Sequence, residues 1–180
     1  EMKLELTQAV IFTEILIGFA LVLQSVELLW LAPQMRLGRL FRLGQWVRLI
    51  LALILVFSPN YRLLDTGALI AILTGLSLIT SMSFGGTFNG GSDAMTLVVL
   101  IGLGVTHQAS FRAPWVGLGY IAFQATLSYA MAGWVKLKER EWRGGTAMKA
   151  FVRLPQYAAP EWLKHAFDSK VLSLASCWGI

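Results

Sequence analysis

Of 180 residues, 56% are hydrophobic and only 14% charged, whereas soluble domains carry about a quarter charged residues. A single water-solvated core of this length has no room for so much apolar surface, which excludes an ordinary soluble domain. The net charge of +5 gathers in two segments, Arg36 to Arg48 and Lys136 to Lys170, a distribution that fits charge-set membrane orientation and not nucleic-acid binding.

The first apolar run predicts a span over about residues 9–31, ending at Pro33 and interrupted by Glu14, Gln24 and Glu27. Carboxylates in hydrocarbon are costly and belong beside partners or water. At about 100° per residue, Gln24 and Glu27 fall within about 60° of one another while Glu14 points elsewhere. Gln24 and Glu27 therefore read as one intramembrane polar site, for a proton or a headgroup, or as a hydrogen bond to another helix. Met35 to Arg48 alternates leucines with arginines and reads as an interfacial helix or a basic loop. A short second span follows over about 46–57, read as half-buried, tilted by its neighbours or extended by a snorkelling Arg48.

The charge-free stretch Thr66 to Ser92 is 27 residues long, more than the roughly 20 needed to cross a bilayer. It predicts a third span over about 63–84, rich in small residues that allow close helix packing. The glycine-rich Gly85 to Gly91 connection lacks the lysine of a P-loop and reads as a tight turn or a mobile gate. A fourth span is predicted over about 94–106 and a fifth over about 114–134, opening at Pro114 and carrying Gln124 near its middle. His107 has no second ligand at metal spacing, so no metal site is expected. The lone Cys177 excludes an internal disulfide or a CxxC pair.

Residues 1–135 thus read as a transmembrane bundle and 136–170 as a basic interfacial region. The run 171–180 reads as the start of a sixth span in a longer protein. The expected fold class is all-α, a polytopic helical bundle of about five spans. The expected setting is the bacterial inner (cytoplasmic) membrane, with basic loops 36–48 and 136–170 cytoplasmic, membrane lipids as partners and membrane protein subunits as further candidates.

The end of the fifth span reads Tyr129-Ala130-Met131-Ala132-Gly133-Trp134-Val135-Lys136-Leu137, followed by Trp142-Arg143-Gly144-Gly145-Thr146-Ala147. This resembles the Y-x-x-A-G-x-x-K-L and W-x-x-G-x-A pattern of the horizontally transferred transmembrane domain (HTTM) family, related to vitamin K-dependent gamma-carboxylase. Asn89-Gly90-Gly91-Ser92-Asp93 resembles that family's N-G-G-D element. The resemblance implies a multi-span fold and a lipid- or quinone-sized pocket near the end of the fifth span, with Asn89, Asp93, Tyr129 and Trp142 around it. It also implies Lys136 as a base, since desolvation makes the neutral amine accessible near neutral pH, where it can accept a proton. A quinone or a lipid is the cofactor class it implies. This chain has Gly90 where the carboxylase has histidine, which removes a partner from that chemistry and leaves enzymatic activity open. The alternative is a non-catalytic accessory subunit packing against a larger membrane complex; a channel or transporter is disfavoured because no inverted repeat stands out.

Overall fold

The computed structural model describes residues 2–33, 35, 37–61, 65–83, 91–154 and 159–179, and these are all-helical apart from turns and connections. The helices are α1 (Met2–Leu31), α2 (Arg39–Tyr61), α3 (Thr66–Ser83), α4 (Gly91–Thr106), α5 (Ala113–Lys138), α6 (Arg140–Arg143), α7 (Thr146–Val152), α8 (Glu161–Ala166) and α9 (Lys170–Gly179). They fall into two compact units, residues 1–125 and 126–180.

In the first unit each helix buries one narrow stripe. On α1 it is Glu14, Ile17, Leu21, Ser25 and Leu28; on α2 it is Gln45, Arg48, Ala52 and Leu55. On α3 it is Leu69, Leu73 and Ser77, and on α4 it is Thr96, Leu100 and Leu103. Steps of three and four residues keep such positions on one helix face. The stripes meet in a core of aliphatic side chains, with Leu21, Leu55, Ile70, Leu73, Leu100 and Leu103 fully buried.

Consecutive helices run antiparallel. A Cβ on Gly18 of α1 would lie 2.7 Å from Val56 Cγ2 of α2, while Gln24, later on α1, meets Arg48, earlier on α2. Gly102 of α4 faces Ile121 of α5, and Gly117 of α5 abuts Thr106 and the Gly102 carbonyl. Glycine at these positions lets the two backbones approach closely. Helix starts follow local chemistry: Asp65 Oδ1 accepts from the Gly67 amide at 3.0 Å, the cap that α3 needs.

The outward faces are as apolar as the inward ones. Leu23, Trp30 and Leu40 are 70%, 69% and 85% exposed, and such faces are stable when hydrocarbon covers them. Three helical segments, Leu4–Leu31, Arg39–Phe57 and Thr66–Ser83, are long and apolar enough to cross a membrane. The chain is therefore a membrane-embedded helical protein by length and composition, with three candidate spans among the described residues. The apolar α4, at 16 residues, is shorter than the roughly 20 of a full span. The 26-residue α5 is long enough, but its Gly, Ser, Tyr and Gln content dilutes it.

The arginine-rich Arg39–Arg48 segment is the opening of α2 and not a separate interfacial helix, so the second apolar run is a full-length helix. Arg48 does not snorkel. It is 3% exposed because polar acceptors meet it inside the unit.

In the second unit, residues 126–138 of α5 and helices α6 to α9 include one glycine at positive φ, Gly145 at 77°, between α6 and α7. A side chain there would also strike the Leu174 backbone, 2.9 Å from its Cα. Ser173 donates to the Gly145 carbonyl, which ties α9 to that turn. Val152, Phe167, Ser173 and Cys177 are buried.

Candidate functional site

Two polar clusters lie in the first unit, and each draws on α1 and on α4 or the residue after it. The larger centres on Arg48. Its Nη2 donates to Gln24 Oε1 at 2.7 Å and its Nη1 reaches Gln45 Oε1 at 3.5 Å. The amides of these glutamines pass the chain outward: Gln24 Nε2 donates to Thr96 Oγ1 and Gln45 Nε2 to Thr80 Oγ1, both at 2.9 Å. The threonine hydroxyls in turn donate to their own helices, at Ser92 O and Leu76 O. Four helices are thus joined by one network, whose members polarise one another in a low dielectric.

The second cluster joins Glu14 and His107, with Nε2 and Oε1 2.7 Å apart. His107 immediately follows α4 and lies against the start of α3, where a Cβ on Gly67 would come 3.2 Å from His107 Cβ. Along α1 the clusters are ten residues apart, about 15 Å by helix rise. The fully buried leucines and isoleucine of the core occupy the intervening turns.

A cavity of about 410 Å³ is lined by Leu6 and Val10, one to two turns before Glu14 on α1, by Thr106 and Gln108, which flank His107 in sequence, and by Phe111, Pro114 and Trp115. Its volume falls in the range of small-molecule sites, which are mostly apolar with a few polar groups. Thr7, Gln108 and Ser110 supply those groups. The lining uses the first turn of α5 and not its last, where the resemblance puts a pocket.

The expected site residues separate as follows. Gln24 enters the Arg48 network, and Asp93 lines a small chamber beside it. Glu27 is exposed on α1, and Glu14 joins His107. Gln124 is half-buried and makes no hydrogen bond among the described residues. In the second unit the Lys136 ammonium lies 5.1 Å from the centroid of the Trp142 ring, a cation–π distance, and Tyr129 is 78% exposed. Asn89, Arg36 and the Gly85 to Gly90 part of the glycine-rich connection lie outside the described residues. No group of three His, Cys, Asp or Glu side chains that suits a metal occurs among the described residues.

Sequence reasoning missed the Gln45, Thr80 and Thr96 contacts and the partner of Glu14. One signal was available: Gln45 and Arg48, three apart at the edge of an apolar run, share a helix face. Comparison with protein-family models, curated proteins and solved structures finds no match to this chain.

Proposed function

We propose that the chain is an HTTM-like integral membrane protein that holds an apolar or amphiphilic molecule of the lipid or quinone class in the cavity lined by Val10, Thr106 and Trp115. One observation carries this reading: the cavity of about 410 Å³ combines an apolar lining with hydroxyl and amide groups and two aromatic rings. Uncharged polar groups orient a headgroup, hydroxyl or carbonyl, while the apolar wall accepts a chain or ring. The antiparallel docking of α4 and α5 supports a count of five spans, with α4 and α5 crossing beside the three longer helices. The reading places the protein in the bacterial inner membrane with the basic segments 36–48 and 136–170 on the cytoplasmic side.

Native mass spectrometry of protein released from mild detergent tests the cavity. The wild type is expected to retain one tightly held apolar adduct, and Val10→Trp, which fills the cavity, to lose it. An adduct retained equally by both removes the cavity from the function.

A second reading is favoured by Gln124: a half-buried amide on a helix that faces lipid calls for a partner. Under it the chain is a non-catalytic subunit of a larger membrane complex. Co-purifying subunits that Gln124→Leu releases support this reading, and a wild-type monomer with its adduct bound removes it.

A further inference from the structure

Arg48 carries five N–H donors into the first unit, and the surrounding helices answer only part of them. Nη2 and Nη1 reach the two glutamine oxygens, while Nε has no hydrogen-bond partner among the described residues. On α3, Ser77 Oγ is equally buried and equally unpartnered. The two side chains belong to residues only 3% and 4% exposed. Burying a donor without a partner costs about 1–3 kcal/mol, and two such groups on the wall of one chamber point to a shared ligand.

They share a chamber. Arg48, Ser77, Gln24, Thr80, Asp93 and Thr96 line a cavity of about 20 Å³, above the roughly 10–15 Å³ that one water needs and far below any headgroup. We propose that this chamber is the binding site of a single water molecule. The water accepts a hydrogen bond from Arg48 Nε–H, exchanges one with Ser77 Oγ and donates one towards the Asp93 carboxylate. A buried water makes about three such bonds. Charge selects water over a small anion: the Asp93 carboxylate lines the same wall and opposes a negative occupant, while its charge offsets that of Arg48. The water thereby completes a tie between α2, α3 and α4 that protein atoms leave unfinished.

The test is water-selective NMR on the full chain in nanodiscs, with the arginine side chains labelled with nitrogen-15 and Arg48 assigned through its own side-chain carbons. The Arg48 Nε–H is expected to show a direct cross-peak to a long-lived water. Ser77→Val fills the chamber and is expected to abolish that cross-peak while the other arginine signals stay in place. If the valine variant does not fold, Ser77→Thr, which adds a single methyl to the same chamber, is expected to weaken the cross-peak at least fivefold. Three results overturn the proposal: a wild-type Arg48 Nε–H that contacts only protein protons, a cross-peak unchanged in the folded variant, or a shift of that signal when bromide replaces chloride, which marks an anion.

Discussion

Glu14 Oε1 and His107 Nε2 meet at 2.7 Å across 93 positions of sequence, joining the middle of α1 to the residue that follows α4. Glu14 sits in the core stripe of α1 and is 4% exposed, so His107 is what makes a carboxylate tolerable there. Removing one partner leaves the other buried and unanswered, at a cost of about 1.5–3 kcal/mol for a bond involving a charged group. His107→Ala and Glu14→Ala are therefore each expected to destabilise the bundle in detergent-unfolding titrations. The double variant is expected to lose no more than the worse single one, because the second change removes a group already stranded. Strict additivity of the two losses refutes the pairing.

Arg48 presents the same logic with more partners. Arg48→Lys keeps the charge but has no planar fork to answer Gln24 and Gln45 together, and Arg48→Leu strands both glutamine oxygens. Either is expected to cost about 2–3 kcal/mol, read in the same unfolding titrations. Replacing Arg48, Gln24 and Gln45 together by leucine is expected to recover stability relative to Arg48→Leu, since a packed apolar core is often as stable as a buried polar one. A triple variant less stable than Arg48→Leu contradicts this account.

The class of the protein was legible in the residues, because apolar stretches of spanning length without charge have one common use. The helices lie close to those stretches, as in α3 and α4. Orientation about each helix axis was not legible. The spacing of Glu14, Gln24 and Glu27 gives their relative angles, but only the docked bundle says which angle faces inward. The α1 stripe through Leu21 and Leu28 places Glu14 inside, Gln24 at about 60° from its centre and Glu27 at about 120°, taking 100° per residue. Hence Gln24 reaches Arg48 and Glu27 faces outward. Pairings such as Glu14 with His107 depend on helix docking, and no local pattern encodes them.

The α4–α5 contact rests on two glycines that differ in what they face. A Cβ at Gly102 would lie 2.5 Å from Ile121 Cγ1, a side-chain atom, and 3.1 Å from the Gly117 carbonyl, while one at Gly117 would strike the Gly102 carbonyl and come 3.0 Å from the Thr106 amide nitrogen. Side chains rotate and backbones do not. Gly117→Ala is therefore expected to cost about 1–3 kcal/mol through overpacking, with Gly102→Ala at the low end. Adding Ile121→Ala is expected to rescue most of the loss in Gly102→Ala, leaving the tight approach to the Gly117 carbonyl, but none of that in Gly117→Ala, as thermal unfolding in detergent will report.

In the second unit Asp168 gathers two cations and an imidazole: Lys149 Nζ at 2.8 Å, Arg153 Nη2 at 2.6 Å and His165 Nδ1 at 3.8 Å. The Lys149 hydrogen bond first, and then the charges of Arg153, Lys149 and His165, hold its carboxyl below the ordinary value of 3.8. A carboxyl held lower in the folded state than in the unfolded one adds stability above its unfolded value, and that stability is lost as the pH falls through the folded value. Asp168 thus secures the link between α7 and the turn before α9 throughout the neutral range and releases it only in acid below the ordinary carboxylate range. Asp168→Asn is expected to remove this acid dependence, seen as amide hydrogen exchange in α7 and α9 that no longer accelerates on acidification beyond the intrinsic chemical trend. Because the site is half open to solvent, added salt is expected to weaken the effect in the wild type. If exchange in α7 responds to acid equally in both proteins, a different carboxylate holds this link.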